Sequence, residues 1–305
     1  MERFDEDTRE FLEALDPSTR RVYQVGLGAF QTFYGNPLKY FLDAVEDDLR
    51  KPRRGRTRVA RKTLKKFVEW LKERDYAPKT IRTYVSAVQS LGKYYDISIS
   101  TRYVNIPTSH PVSQKFPWTL ETVAKFIGMI RKPEVKSLAV TLFQSGLSVS
   151  DALSLTYEDV KYEYEHGVVP LCFDLARIKT DVPFMTFIGE WGVSLLRKHL
   201  EGRRLRLESR LYTISHRAVD HYFERLGKRW IGSYKGQNPC RPHSLRAAFR
   251  TILGDAGMDQ DVVEFYMGHR LPEQRRVYHS RSRDGWRELY GKHEWALTPK
   301  NWKEI

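Results

Sequence analysis

The sequence contains few cysteines and no long apolar run. Only Cys172 and Cys240 occur in 305 residues, and their separation does not fit a zinc site. So few cysteines favour a reducing compartment. No stretch is long and apolar enough for a membrane-spanning helix. The first residues, MERFDEDTREFLEAL, are acidic and amphipathic and do not resemble a signal peptide. We therefore expect a cytoplasmic protein that has no membrane partner.

Clustered carboxylates are also missing from the second half of the sequence. A metal-dependent nuclease would need such a cluster to hold its ions. Asp151, Asp159 and Asp174 are too scattered to form one. No other pattern calls for a bound metal, so we expect neither a metal ion nor a cofactor.

Basic residues, in contrast, are in excess. The 52 Lys and Arg residues outnumber the 38 Asp and Glu residues, for a formal net charge of +14. Such an excess favours a polyanionic partner, most often a nucleic acid, although it also keeps a protein soluble. The charge is densest between residues 50 and 66, where KPRRGRTR predicts a loop that leads into an amphipathic helix. We expect phosphate contacts from the basic side chains there, rather than a merely solvated face: Arg53, Arg54, Arg56, Arg58, Arg61, Lys62 and Lys65.

The order of patterns predicts a mainly α fold with a small antiparallel β-sheet, in two domains. Residues 1–100 have helical periodicity, with a helix start at Asp16-Pro17-Ser18-Thr19 and a stop at Gly35-Asn36-Pro37. Residues 101–118 contain three prolines and no helical period, which is typical of a linker. Residues 119–305 are again helical, except for a β-hairpin around Thr180-Asp181.

Four stretches of the second half resemble, in order, the catalytic domain of tyrosine recombinases, the family of phage-type (lambda-integrase-like) and Xer-like integrases. They read SGLSVSDALSLTYEDV, ARIKTDVPFMTFI, PHSLRAAF and MGHRLPEQRRVYHS. Each stretch alone is a weak signal, but their order and the nine-residue step from His269 to Tyr278 are strong together. The resemblance covers roughly residues 119–278 and matches the following residues to catalytic positions: Lys179, His243, Arg246, His269 and Tyr278.

The resemblance implies DNA strand cleavage through a 3′-phosphotyrosyl intermediate. A tyrosine nucleophile conserves the phosphodiester bond energy, so that a 5′-hydroxyl can later reseal the strand. Arg246 and the two histidines suit the negative charge of the transition state, and Lys179 can protonate the leaving oxygen. Tyr290 is the competing candidate for the nucleophile.

One position departs from the family. Ser148 stands where the pattern has its first arginine, and a serine hydroxyl cannot clamp two phosphate oxygens. Three explanations remain open: an engineered substitution that traps a DNA complex, a natural relative that binds DNA without cutting it, or an enzyme in which a neighbouring arginine such as Arg177 or Arg250 reaches into the gap or which is simply slow. A non-catalytic DNA-binding protein on the same fold is therefore the alternative function.

The resemblance also implies an assembly. A helical core-binding domain and the catalytic domain would form a clamp around duplex DNA, and protomers would pair as a tetramer that exchanges strands through a Holliday junction. The C-terminal segment RSRDGWRELYGKHEWAL has Trp286, Leu289 and Tyr290 on one face. This face would pack either on a neighbouring protomer or on its own domain. A helix-turn-helix regulator is a further alternative, but it gives no reason for four ordered motifs.

Overall fold

The computed structural model describes residues 3–108, 116–234, 238–271 and 281–305. Over these ranges the chain is mostly helical and carries one two-stranded antiparallel sheet, which confirms the predicted fold class. The chain divides into two compact units, Met1–Ser113 and Gln114–Ile305. No helix in the described ranges combines the length and the apolar character that crossing a bilayer requires.

Over residues 3–108, the first unit is a bundle of five helices. Its elements are α1 (Glu6–Glu13), α2 (Pro17–Tyr34), α3 (Leu38–Arg50), α4 (Val59–Lys72) and α5 (Pro78–Tyr94). The predicted start of α2 is confirmed, because the carboxylate of Asp16 accepts hydrogen bonds from the backbone N–H groups of Ser18 and Thr19. Its predicted end is confirmed as well, since Gly35 has the left-handed conformation that closes a helix.

The apolar faces of these helices form one core. Phe30, Phe41 and Phe67 are fully buried in it, and the ring of Phe30 contacts each of the other two edge to face. The core also takes in Ile99 and Val104, which follow α5. The first residues of the predicted linker therefore pack against the first unit, while the predicted domain boundaries at 100 and 118 stay a prediction.

The second unit surrounds a hairpin with helices. Its elements are α6 (Leu120–Gly128), α7 (Pro133–Ser145), α8 (Val149–Ser154), α9 (Lys161–Glu165), β1 (Leu171–Ala176), β2 (Pro183–Ile188), α10 (Glu190–Leu200), α11 (His216–Trp230), α12 (Pro242–Asp255), α13 (Gln260–Tyr266) and α14 (Arg283–Gly291), then two short 3₁₀ helices, Glu294–Leu297 and Trp302–Glu304.

Helix α7 is the central element of this unit. It packs against α10, α12 and β2, and its last eleven residues are almost all buried. A polar side chain on such a buried helix is unfavourable unless it forms hydrogen bonds. Gln144 forms them, because its Oε1 accepts from the N–H groups of Gly189 and Gly192. This arrangement fixes the end of α7, from which the candidate site begins.

The predicted hairpin is confirmed. Strands β1 and β2 pair in antiparallel register from Leu171 opposite Ile188 to Ala176 opposite Pro183. Phe173 and Phe187 are fully buried, and the turn residues between the strands are exposed. The hairpin is thus anchored at its base and projects its turn towards solvent.

The C-terminal segment packs on its own unit. The rings of Trp286 and Phe265 stack with centroids 4.2 Å apart, and Tyr266 Oη donates to the carbonyl of Trp286 over 2.8 Å. Lys136 Nζ donates to the carbonyl of Ile305 over 2.6 Å. Of the two packing modes that the sequence allows for this amphipathic face, the structure shows the one within the same chain.

Candidate active site

The H-x-x-R motif lies in the first turns of α12. This helix begins at Pro242, whose missing N–H would have no partner at a helix start anyway. His243 and Arg246 are three residues apart, so their side chains leave neighbouring points of the helix surface. His243 is exposed, whereas Arg246 is only 3% exposed. The motif therefore supplies one accessible imidazole and one buried guanidinium.

Main-chain carbonyls hold the guanidinium of Arg246. Its Nη1 donates to the carbonyl of Gly146, and its Nη2 donates to that of Met267 over 2.6 Å. The same Nη2 lies 2.8 Å from Nε2 of His269. Among the residues that the structure describes, Arg246 forms no ion pair with a carboxylate. Its charge is thus positioned rigidly and left available to an anion.

Each of these two carbonyls lies at a turn that contains a glycine. Gly146 ends α7 and Gly268 follows α13, each in the left-handed region with φ of +65°. A Cβ on Gly146 would lie 2.5 Å from the ring of Phe249, and one on Gly268 would lie 2.9 Å from the ring of Phe184. Both turns therefore need glycine for backbone conformation and for space. They carry the polypeptide past Arg246 closely enough for its guanidinium to bind the backbone.

Burial lowers the pKa of Arg246 to about 10, and the positive charge of Arg177 acts in the same direction. The carboxylates of Asp151 and Glu264 oppose this effect. Arg246 consequently stays charged at neutral pH.

His269 is oriented by Glu264. Its Nδ1 contacts Oε2 of Glu264, while Oε1 of Glu264 accepts from Arg250 Nε over 2.5 Å. The hydrogen-bond network assigns the ring proton to Nδ1, because Nε2 must accept from Arg246. Glu264 therefore fixes both the tautomer and the direction of the imidazole.

Ser148 begins α8 and is tied to Asp151. Its Oγ donates to Asp151 Oδ2 over 2.6 Å and accepts from the backbone N–H of Asp151 at 3.3 Å. Asp151 is buried, and its Oδ1 accepts from the N–H of Ile178 over 3.1 Å. One carboxylate thus joins the helix start at Ser148 to the turn of the hairpin.

Most of the predicted catalytic residues belong to this assembly. Arg246 and His269 are in direct contact, and His243 lies in the first turn of the helix that carries Arg246. Ser148 reaches the hairpin through Asp151. Lys179 is exposed in the hairpin turn, next to the anchored Ile178. The arrangement provides a buried cation, an oriented imidazole and a nearby lysine, which together suit a phosphodiester.

The sequence model of the phage integrase family matches residues 121–283, which include all of these side chains. The chain belongs to the phage integrase family. This confirms the resemblance to tyrosine recombinases that the four motifs carry. Tyrosine recombinase XerA of Saccharolobus solfataricus is 23% identical over 80% of this chain and 80% of its own length. Tyrosine recombinase XerD of Halalkalibacterium halodurans is 23% identical over 84% of this chain and 88% of its own length.

Solved structures of integrases share the fold. A lambda integrase dimer bound to a core site superimposes with a TM-score of 0.61 at 14% identity, covering 87% of this chain and 96% of that one. The Tn1549 transposon integrase in complex with a circular intermediate DNA gives a TM-score of 0.55 at 18% identity, covering 76% of this chain and 84% of that one.

The two tyrosines considered for the nucleophile differ in what the structure says of them. Tyr278 lies outside the described residues, so its role stays a prediction from the family motif. Tyr290 is 0% exposed, and its Oη donates to the carbonyl of Gln144 over 3.0 Å. Burial raises the pKa of Tyr290 well above its ordinary value. Tyr290 is therefore a packing residue that holds α14 against α7.

The basic segment, residues 50–66, contacts a buried carboxylate of α3. Asp48 of α3 accepts hydrogen bonds from the N–H and Oγ1 of Thr57, at 2.5 and 2.8 Å. Burial would raise the pKa of Asp48, but the hydrogen bonds from Thr57 outweigh it and lower the pKa to about 2. The loop before α4 is thus fixed against the end of α3.

Some predicted phosphate-contacting residues of this segment have partners within the first unit. Arg56 donates to the carbonyls of Lys51 and Leu49, at 3.0 and 2.7 Å. The guanidinium of Arg61 lies over the ring of Tyr103. Arg58 has the left-handed conformation at the start of α4. The remaining residues of the prediction are exposed: Arg53, Arg54, Lys62 and Lys65.

Sequence reasoning missed Glu264 as a site residue. It precedes His269 by five residues, and α13 ends between them. The stretch DVVEFYMGHR contains one glutamate on an otherwise apolar helix end, and this was the available signal. The contact itself depends on the turn at Gly268, which periodicity does not reveal.

We expect Glu264 to make stability depend on pH. Burial would raise its pKa, but the hydrogen bonds from His269 and Arg250 outweigh it and hold the pKa below the ordinary 4.5. A carboxyl with a lowered pKa stabilises the fold above its unfolded value, and this contribution is lost as pH falls through the folded value. The difference in unfolding free energy between the native chain and Glu264→Gln should therefore shrink as the pH falls below about 4.5. Urea unfolding from pH 3 to pH 7 measures it, and a difference that persists unchanged at pH 3 would contradict this account.

Proposed function

We propose that the protein is a site-specific DNA recombinase that cuts and rejoins strands through a 3′-phosphotyrosyl intermediate on Tyr278. The observation that carries the proposal is the guanidinium of Arg246, buried without a carboxylate ion pair in the described ranges and in contact with an oriented His269. A buried cation needs a counter-charge. A phosphodiester supplies one, and its transition state carries more negative charge than its ground state.

The proposed reaction balances without an added reactant. The phenolic oxygen of Tyr278 attacks phosphorus and releases its proton to solvent, and the bond from phosphorus to the 5′-oxygen breaks. Lys179 gives its proton to the departing oxygen, so that a 5′-hydroxyl is released. Arg246 and His243 stabilise the negative oxygens, and His269 holds the guanidinium of Arg246 in place. Attack by another 5′-hydroxyl reverses the steps and joins a new strand, and neither metal ion nor cofactor takes part.

Ser148 would slow this reaction. Its hydroxyl is already occupied by Asp151, and it has one neutral donor where an arginine has a charged fork. Losing one preorganised donor costs roughly 10²–10³-fold in rate. The proposal therefore describes an impaired recombinase, and its alternative is a DNA-binding protein on the same fold that does not cut.

A covalent adduct separates these two functions. The native chain, Ser148→Arg and Ser148→Arg/Tyr278→Phe would each be mixed with nicked duplexes from the DNA that flanks the gene. We expect an SDS-resistant protein–DNA adduct that increases with Ser148→Arg and disappears in the double variant. DNA binding with no adduct from any version would support the alternative instead.

The proposed partner is duplex DNA. By analogy with its family, the protein would act as a tetramer through a Holliday junction, on a mobile or chromosomal element. This activity would place it with the DNA in the cytoplasm, at the nucleoid of a prokaryotic host. The XerH recombinase bound to its difH substrate shares the fold, with a TM-score of 0.54 over 88% of this chain, and supports DNA as the ligand.

Binding should depend strongly on salt. Four exposed residues of the basic segment, Arg53, Arg54, Lys62 and Lys65, are proposed to contact phosphates. Replacing all four by alanine should reduce the slope of log affinity against log salt by about 3–4, because each lost phosphate contact removes about 0.9. Fluorescence anisotropy with a duplex at several salt concentrations measures this slope. The exposed Lys93→Ala is the control, and an unchanged slope in the fourfold variant would contradict the assignment.

A further inference from the structure

A second arginine lies beside Arg246. Arg177 follows β1, and its backbone N–H donates to the carbonyl of Val182 over 2.9 Å. Its own carbonyl accepts from the N–H groups of Thr180 and Asp181, at 3.1 and 2.8 Å. The base of the hairpin turn is thereby fixed, and with it the point from which the Arg177 side chain starts.

Both guanidiniums bind the same turn. Arg177 Nη1 lies 3.3 Å from the carbonyl oxygen of Gly268, to which it donates. Arg246 donates to the carbonyl of the preceding residue, Met267, and contacts the following residue, His269. Three consecutive residues therefore place two cationic side chains and one imidazole together.

The two charges repel each other. The positive charge of Arg177 adds to burial in lowering the pKa of Arg246. Within the described ranges, neither side chain forms an ion pair with a carboxylate. Like charges held together in a partly buried place are unfavourable unless an anion lies between them. A phosphate group has the charge and the oxygens to satisfy both forks at once.

The hairpin turn that carries Arg177 is tied to Ser148 through Asp151. Asp151 receives the hydroxyl of Ser148 on one oxygen and the N–H of Ile178, the neighbour of Arg177, on the other. On the basis of the proposed function, we propose that Arg177 supplies the second guanidinium that binds the scissile phosphate, in place of the arginine that Ser148 replaces.

Arg250 does not fit this role. Its Nε donates to Glu264 over 2.5 Å, which neutralises its charge, and its side chain is 53% exposed. Of the two neighbouring arginines that the sequence offers as substitutes, the structure favours Arg177.

A double-mutant cycle on the full-length chain tests the replacement. Arg177→Ala should lower the rate of adduct formation roughly 10²–10³-fold, while Arg177→Lys should retain part of it because the charge remains. Ser148→Arg should raise the rate more in the Arg177→Ala background than in the native one, because two residues that share one role are not additive. An equal gain in both backgrounds would overturn the proposal.

Phosphate binding tests the same site without catalysis. Inorganic phosphate would be titrated into the DNA-free chain, with ¹⁵N resonances of the arginine side chains as the readout. A charged hydrogen bond contributes about 1.5–3 kcal/mol, so Arg177→Ala should weaken binding at Arg246 at least ~10-fold. Arg204→Ala removes an exposed arginine of the same unit and should bind phosphate like the native chain.

The two readouts keep the two proposals apart. If no variant forms an adduct that needs Tyr278, the proposed function fails, and the phosphate titration alone decides whether Arg177 and Arg246 form an anion site. If Arg177→Ala and Arg204→Ala bind phosphate equally, Arg177 is not part of the site, whatever the activity.

Discussion

Arg246→Ala is expected to slow adduct formation strongly and to destabilise the second unit. The rate should fall on the order of a thousandfold or more, because the variant loses a charge that the fold directs at the transition state. Stability should fall by about 3 kcal/mol, since the carbonyls of Gly146 and Met267 lose their buried donor. Adduct yield over time and urea unfolding measure the two effects.

Arg246→Lys separates charge from geometry. A lysine ammonium keeps the charge but cannot bind two carbonyls and a phosphate in one plane. We expect it to unfold closer to the native chain than Arg246→Ala, yet to cleave at least ~100-fold more slowly than the native chain. Arg204→Lys makes the same exchange at an exposed position of the same unit and is the control. A rate for Arg246→Lys within threefold of the native chain would contradict a bidentate role.

Tyr278→Phe and Tyr290→Phe are expected to have opposite effects. Without its phenolic oxygen, Tyr278→Phe should form no adduct, while its DNA affinity and unfolding free energy stay near those of the native chain. Tyr290→Phe should still form the adduct but lose about 1–3 kcal/mol of stability, because the buried carbonyl of Gln144 loses its donor. Adduct assays and urea unfolding of both variants decide.

The opposite pattern would reassign the nucleophile. An adduct that persists in Tyr278→Phe and disappears in folded Tyr290→Phe would mean that Tyr290 is the nucleophile. Helix α14 would then have to leave its packed position when DNA binds. The contacts of Tyr290 with Gln144 and of Trp286 with Phe265 would then have to break.

The sequence predicts the local features of this fold well, because their causes are local. Asp16 and Gly35 mark the ends of α2 through hydrogen bonds and backbone preferences within a few residues. The hairpin follows from apolar strands on either side of Thr180-Asp181. The pairing of His269 with Arg246 was implied by the family motifs, not by spacing.

Other parts of the site depend on contacts between distant segments. Arg177 meets the carbonyl of Gly268 across 91 positions of the chain, and Ile178 meets Asp151 across 27. No periodicity encodes such pairs, since they arise only when the hairpin packs beside α8 and α13. For the same reason, the sequence gives no sign that the guanidinium of Arg61 lies over the ring of Tyr103.

The central claim is a phosphotyrosyl bond on Tyr278, and peptide mapping of the adduct tests it most directly. The trapped complex would be digested with nuclease and trypsin, which cuts after Arg276 and Arg281 and releases VYHSR. Mass spectrometry should find this peptide with a nucleotide attached through its 3′-phosphate, and the released strand should carry a 5′-hydroxyl. A nucleotide on another peptide, or cleavage with an unmodified VYHSR, would contradict the account.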